Sequence, residues 1–476
     1  MFGENMVKSV QFFLCSAIIF LCCGCQMNCL TSAPGAPEVS AEDYARKYWK
    51  KIARPVPVFT MKRKGLTEGE NAACFQHYIS MFQKFAPYLP EEYEAYDKGL
   101  GWPRGTYLKR TFYPLDQKAM AAGGHECTSW AILPDLAAEN QVLLHKNRDT
   151  NLRKSVVVYR NTPGKYGYIG LSDIGWMDVT MGMNSVGVAI TMNSGDSSDF
   201  SREFGMDTTL MARIILENCK TADEALTMLI AMLKEGVYAH GNTGSIWLIA
   251  DRDKAFVIEN DAGHFGVEKR KSGVVIRANT WSLPSMLRYS KKSAAGVFHS
   301  RSREFAVIRE LFDQGKNFDR PVTVEQVAKA ARVTRIPENP KAAVPCASRT
   351  VSAATFSIDR EFPADLSLMF AAVGNPDFTL FIPIPLTIDV LPDVLLNQNF
   401  SAEVYKAHAA KRKLLTDQER SDLEQKLNQN IRSARNEARK ILQTDFSAES
   451  RLKARKIMNQ AFSENWKIIS KKLKIK

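Results

Sequence analysis

One stretch of the 476-residue chain holds the residue types for acyl chemistry directed at its own backbone: Gly123-Gly124-His125-Glu126-Cys127-Thr128-Ser129-Trp130. A cysteine that becomes the first residue of a chain carries a thiol and a free α-amine on one carbon. That amine has an ordinary pKa of about 7.7–8, so near neutrality part of it is unprotonated and can take the proton of its own thiol. Before cleavage the same thiol can attack the preceding peptide carbonyl and free that amine. The small residues Ala121-Ala122-Gly123-Gly124 leave the backbone unconstrained just ahead of Cys127, as a self-cleaving bond needs. The competing reading of Cys127 alone is a small buried strand residue, the usual place of a free cysteine. The downstream run from Gln141 to Asn147-Arg148-Asp149 favours a mature chain that begins at Cys127 inside a precursor.

The elements around it change character at that residue. From Ala41 to about Leu100 the apolar spacing is helical: Tyr44, Tyr48 and Trp49, then Cys74, Tyr78, Met81 and Phe82. Gly101-Trp102-Pro103-Arg104-Gly105 breaks that pattern, and a Pro/Ala-rich linker over 30–40 precedes it. After Cys127 the rhythm is short strands: Thr128–Leu133, Gln141–Lys146, Ser155–Arg160, Tyr166–Leu171 and Trp176–Met181. Gly182–Gly187 reads as a turn, then Val188–Asn193 as a strand. Gly244–Glu259 is a hairpin, and Gly273–Asn279, Val351–Ile358, Asp365–Val373 and Phe378–Ile384 are later strands. Helices fall in blocks at Met206–Ile215, Thr221–Leu233, Ser300–Gln314 and Thr323–Ala331. The spacing of Leu415, Leu423, Leu427 and Ile431 predicts another, with Ser421-Asp422-Leu423-Glu424 as a capping box, and a last helix covers about Ala448 to Lys472. Many strands with segregated helices predict an α+β fold with stacked antiparallel sheets.

Composition is that of a globular protein, 45% apolar and 24% charged. Lys8 followed by the apolar run Val10–Leu21 has the length of a signal-peptide core and is short for a membrane span. Leu21-Cys22-Cys23-Gly24-Cys25 resembles a lipoprotein box, with Leu21 one place too far upstream. Lipid attachment at Cys25 and plain signal cleavage both remain open. The expected location is outside the cytoplasm, in the periplasm or cell envelope. Of nine cysteines, Cys15, Cys22, Cys23, Cys25 and Cys29 sit in or beside this leader, so the body is no disulfide scaffold. A Cys219–Cys346 bridge is open in an oxidising compartment. The net charge of +13 is uneven: residues 401–476 hold 19 Lys/Arg against 9 Asp/Glu. Such a tail would be a solvated helical face, or would touch an anionic surface; an exported chain rarely meets nucleic acid, and none is expected here. The seven histidines (77, 125, 145, 240, 264, 299, 408) show no ligand spacing, and no phosphate loop appears, so neither a metal nor another cofactor is expected. The segments are therefore 1–25 leader, 26–126 linker and helical pro-region, 127–400 catalytic domain and 401–476 basic helical tail.

In their order, Cys127-Thr128-Ser129, Asn147-Arg148-Asp149, Gly182–Asn193, Gly244–Glu259, Ala278-Asn279-Thr280 and Ser300-Arg301-Ser302-Arg303 resemble the N-terminal cysteine nucleophile hydrolases. That superfamily holds the choloylglycine hydrolases, acid ceramidase and the acyl-coenzyme A:isopenicillin N acyltransferases. Thr350–Asp359 and Gly374-Asn375-Pro376 are most similar to the acyltransferase branch, and the resemblance covers roughly Cys127 to Pro385. It implies a four-layer αββα sandwich, cleavage before Cys127, and hydrolysis or transfer at a linear amide of a small-molecule substrate. It implies Cys127 as nucleophile and, through its amine, base. Asp149 would hold that amine, Asn193 and Asn279 would face the developing oxyanion, and Arg303, with Arg301 as the competing choice, would tune the thiol. In the acyltransferase branch the pro-region stays bound as a second subunit.

Each of these residues has a plainer use: Asp149 in a turn, the asparagines at strand ends, Arg303 as a surface charge beside Glu304. Two departures stand out. Lys146 occupies the position where the choloylglycine enzymes carry an arginine, and lysine cannot make the same bidentate contact. Glu126 replaces the small residue that precedes the acyltransferase nucleophile. The rival readings are a dipeptidase of the related cysteine family and a non-catalytic envelope binding protein on the same fold.

Overall fold

A computed structural model describes residues 40–49, 67–112, 126–150, 155–197, 206–236, 244–312 and 320–474. The leader, its cysteines, the linker and the stretch Ala121–His125 lie outside the described residues. Two antiparallel sheets face each other. The first has the order β10 (Val274–Arg277), β1 (Thr128–Ile132), β2 (Gln141–Asp149), β11 (Thr350–Asp359), β12 (Leu368–Val373), β13 (Ile382–Pro385). The second runs in sequence order through β3 (Ser155–Arg160), β4 (Tyr168–Asp173), β5 (Met181–Asn184), β6 (Ala189–Ser194), β7 (Ser245–Ala250), β8 (Ala255–Asn260) and β9 (Phe265–Arg270). β2 and β11 are buried along their whole length because both of their faces are covered. Their Val142, Leu144, Phe356 and Ile358 join Ile246 and Leu248, which share the inward face of the second sheet with Asn193, in the core between the sheets. Each such aliphatic side chain contributes about 1.5–3 kcal/mol on burial.

Helices close both outer faces. α4 (Thr208–Asn218) lies on β5 and β6, and α5 (Ala222–Lys234) on β7 and β8. On the first sheet, α6 (Ala294–Leu311) lies against β10 and α7 (Val324–Ala331) against β2 and β11. Four layers, αββα, result, as the resemblance implied. α8 (Asn399–Ala409) packs on β12, and α9 (Asp417–Thr444) and α10 (Ala448–Leu473) form a hairpin on β13. Leu427, Ile431, Leu442, Met458 and Ile469 bury the hairpin's apolar stripe, while Lys426, Lys440, Lys453 and Lys456 stay exposed. Arg435–Asp359 at 3.0 Å pins it to β11, and Arg455–Asp365 at 3.2 Å to the turn that joins β11 to β12.

Ahead of Cys127, α1 (Glu68–Phe85), α2 (Leu89–Leu100) and α3 (Thr106–Phe112) pack with residues 41–49 around Trp49, Phe82, Tyr93, Tyr96 and Tyr107. Several local expectations are corrected. Trp176–Met181 is no strand: Gly175 sits at φ 81°, and a turn bonds Trp176 N–H to Asp173 O, so pairing resumes only at Met181. β9 is a strand that the sequence hid, because it is an edge carrying Glu268, Lys269 and Arg270. The capping box of α9 is Thr416 with Glu419, one turn before Ser421, and Glu424 instead pairs with Arg332. Cys219 and Cys346 are free and buried, not bridged; Cys346 Sγ approaches Asn375 Oδ1 at 3.3 Å.

Candidate active site

The sheet register builds the site. β1 pairs with β2 so that Ser129 opposes Lys146 and Thr128 opposes Asn147. Strand alternation then puts Cys127, Ser129, Lys146 and Arg148 on the face turned toward the second sheet, while Trp130, His145 and Asn147 face the helices. Cys127 is 5% exposed and its thiol donates to Asp149 O at 3.7 Å.

Arg303 organises the strand entrance. Ser293 caps α6 by accepting from Gly296 N–H at 3.2 Å, and the helix carries the buried Arg303 guanidinium to the start of β1. Its Nη1 donates to Glu126 O, to Cys127 O at 2.6 Å and to Thr128 Oγ1 at 3.2 Å. Its Nη2 donates to Asn279 Oδ1 at 3.0 Å. Burial pushes the guanidinium pKa down, and Asp149, Glu126 and Cys127 oppose the shift. Arg301 does not compete: it is bound to Glu304 at 2.6 Å and to Trp281 O, away from the thiol.

Asp149 ends β2, fully buried. Oδ1 accepts from Thr350 Oγ1 at 2.7 Å, and Oδ2 has no partner among the described residues. Burial raises its pKa to about 7, against the opposing pull of the Thr350 bond and the Arg303 charge. The two asparagines differ. Asn193 accepts from Ser129 Oγ at 2.8 Å and spends both amide hydrogens on Arg277 O at 2.9 Å and Ala278 O at 3.1 Å. It therefore ties β6 to β1 and β10. Asn279 gives one amide hydrogen to Ser194 O at 2.7 Å and keeps the other. All five residues expected from sequence converge, yet their donor capacity toward a substrate oxygen is unequal.

Two further side chains belong here. Lys146 is buried, crosses to β6 by donating to Met192 O, and also lies within hydrogen-bonding reach of the Cys127 thiol. Burial pushes its ammonium pKa down, and Cys127 and Asp149 pull it back. Arg148 forms a bidentate pair with Asp173 at 2.6 and 2.9 Å. Sequence reasoning saw Lys146 only as a departure from arginine; its place opposite Ser129, one strand from Cys127, was the available signal. Lys146→Met is expected to slow alkylation of Cys127 by iodoacetamide at pH 7 by about tenfold, since a buried cation within hydrogen-bonding reach of the thiol is removed. An unchanged rate would remove Lys146 from the thiol's surroundings. His145, in contrast, is a core histidine: it stacks on Trp130 at 4.0 Å, bonds Thr355 and Asn147, and burial drives its pKa to about 3. Among the described residues no group of His, Cys, Asp or Glu is arranged to hold a metal.

Glu126 is anchored as well. Arg349 approaches its carboxylate at 3.2 Å through Nε and 3.1 Å through Nη2, and His299 Nδ1 lies 3.2 Å from Oε1.

Residues 136–304 match the family model described as acyl-coenzyme A:6-aminopenicillanic acid acyl-transferase. The matched segment begins after Cys127 and contains Asp149, Asn193, Asn279 and Arg303. The chain is also similar to the Caenorhabditis elegans N-acylethanolamine-hydrolyzing acid amidase ortholog, at 15% identity and a TM-score of 0.34, covering 51% of this chain and 98% of that one. A second similarity is to a variant of conjugated bile acid hydrolase from Clostridium perfringens, at 15% identity and a TM-score of 0.32, covering 54% and 97%.

Proposed function

We propose that this chain, whose residues 136–304 match the family model described as acyl-coenzyme A:6-aminopenicillanic acid acyl-transferase, is a self-processing cysteine amidohydrolase or acyltransferase acting on a linear, non-peptide amide through a thioester at Cys127. One observation carries the reading: Arg303 binds the carbonyl oxygens on both sides of the Glu126–Cys127 bond while a buried, unpartnered oxygen of Asp149 waits beside it.

In the precursor, Sγ of Cys127 attacks the Glu126 carbonyl carbon and the oxygen takes the developing negative charge. Arg303 Nη1 already donates to that oxygen, so no donor has to be recruited. The C–N bond then breaks, its nitrogen takes the proton given up by the thiol, and the acyl group passes to sulfur. Water hydrolyses this thioester, leaving Glu126 as a carboxylate and Cys127 with a free amine. Asp149 Oδ2 accepts from that amine and fixes its direction toward Sγ.

In the mature enzyme the amine takes the thiol proton, Sγ attacks the substrate amide, and the spare amide hydrogen of Asn279 meets the oxyanion. The ammonium returns its proton to the leaving amine. Water or an acceptor amine then resolves the thioester. Intact-mass measurement and N-terminal sequencing of the purified protein test the first half. A chain that starts Cys-Thr-Ser-Trp is expected; a single uncut chain would sink the reading and leave a binding protein on this fold.

The pro-region is proposed to remain as a bound subunit after cleavage. Glu92 of α2 enters a buried cluster on the body, 2.5 Å from Arg213 Nη2 and 3.3 Å from Arg160 Nη2, and Arg213 is fully buried. Burial pushes the Glu92 pKa up, and the two guanidiniums outweigh it and hold the carboxyl well below its usual range. Glu217 stays 3.1 Å from Arg213, but removing the Glu92 charge takes away the carboxylate shared by two buried guanidiniums, a loss of up to about 3–5 kcal/mol. Glu92→Gln is therefore expected to make the two fragments separate on size exclusion where the wild type co-elutes; wild-type fragments that separate would refute a retained subunit. Work outside the cytoplasm, with or without a lipid at Cys25, is proposed on the leader sequence alone.

A further inference from the structure

We propose that the acyl subsite of the mature enzyme is a carboxylate subsite, built by Arg349 and His299, and that the substrate is an amide of a glutaryl-like acyl group. The inference rests on the reading that self-cleavage passes through a Glu126 thioester at Cys127. In that step Glu126 is itself the acyl donor: its carbonyl carbon becomes bonded to Sγ and its carbonyl oxygen lies on Arg303. The thioester of a substrate has the same connectivity at the same sulfur. What surrounds the Glu126 side chain is therefore what the far end of a short acyl chain meets.

Those surroundings are selective for an anion. The carboxylate lies three carbons beyond the carbonyl, which is the spacing in a glutaryl group. Arg349 holds one carboxylate oxygen, Oε2, through both Nε and Nη2 at 3.2 and 3.1 Å, a charge-assisted contact that favours an anion. His299 Nδ1 closes the other oxygen at 3.2 Å. Arg303 and Lys292 add positive potential from α6 and from the loop before it, since both titrations respond to the Glu126 charge. This explains why an acidic residue stands where the acyltransferase branch has a small one: the precursor's own junction is dressed as a substrate. Hydrolysis of the thioester releases Glu126 as the new C-terminus of the pro-region, and when that terminus moves off, the cradle receives the acyl end of an incoming amide.

The test uses the processed wild-type enzyme and two 4-nitroanilides, glutaryl and valeryl, which differ by a carboxylate against a methyl at the same chain length. A hydrogen-bonded contact to a charged group supports a preference of about 10- to 100-fold in kcat/KM for the glutaryl compound. Because the cradle is partly open to solvent, that ratio is expected to fall as salt is raised. Arg349→Gln should bring the ratio toward one. A processed enzyme that turns over the valeryl anilide as fast as the glutaryl one, or neither, overturns the subsite. A chain never cut before Cys127 overturns the underlying reading instead, and the two failures are told apart by the mass of the protein before substrate is added.

Discussion

Cys127→Ala is expected to yield one uncut chain and to abolish amide turnover, by on the order of 10⁵-fold or more, the scale set by removing a covalent nucleophile that acts as a unit with its base. The mutation removes both at once, since no thiol remains to attack Glu126 and the α-amine stays locked in a peptide bond. Folding is retained for a structural reason. Arg303 binds the backbone oxygens of residues 126 and 127, and these survive the substitution. The loss of one buried sulfur leaves a small void, worth about 1–2 kcal/mol in a chain with this much core. Mass spectrometry of the purified variant beside the wild type reads the cut; a uniform thermal transition in both reads the fold. Cleavage that persists in the alanine variant would mean an outside protease and would detach Cys127 from processing.

The sequence made the strand pair around Cys127 legible because its residues are local. Cys127, Asn147-Arg148-Asp149 and the strand periodicity around them sit within one hairpin, and β3 falls on the residues expected, Ser155–Arg160. Arg303 lies 176 residues from Cys127 and could be reached only through family order; nothing in the spacing of Ser300–Arg303 separates it from Arg301. Helical phase does, because Arg303 turns inward with Val307 while Arg301 turns out to Glu304. The unequal donors of Asn193 and Asn279 were illegible for a different reason. Their partners are the carbonyls of Arg277, Ala278 and Ser194, and a backbone acceptor leaves no mark on composition or motif. The tail reads as helical with a solvated basic face, and its helices do keep Lys426, Lys440, Lys453 and Lys456 exposed. Its basic residues dominate the count, but the buried stripe from Leu427 to Ile469 determines where it sits, on the first sheet beside β13. Glu126 had the reverse fate: read alone it was an awkward neighbour for a self-cleaving bond, and with Arg349 and His299 around it the residue becomes an anchor.

Asp149→Asn is expected to act in opposite directions on the precursor and on the mature enzyme. In the uncut chain the Asp149 carboxyl is fully buried, with one oxygen on Thr350 and the other unpartnered, and burial raises its pKa from the ordinary 3.8 to about 7. The folded state therefore holds the proton more tightly than the unfolded one between roughly pH 4 and 7. Stability is favoured below that window, falls as pH rises through it, and stays lower above it. Three pH units correspond to about 4 kcal/mol at most, and solvent relaxation reduces this to about 2–3 kcal/mol. Asparagine cannot ionise and keeps the Thr350 contact. In a Cys127→Ala background, Asp149→Asn should thus raise the denaturant midpoint at pH 8 and leave it nearly unchanged at pH 4. A gain independent of pH, or a loss at pH 8, would contradict an uncompensated carboxylate in the precursor. After cleavage the free amine of Cys127 supplies the missing partner, the carboxylate becomes useful, and the same substitution should lower kcat by about 10²–10⁴-fold, as loss of the group that orients a catalytic base does elsewhere. The buried charge that destabilises the precursor is thus the one that holds the new amine in place once the bond is cut.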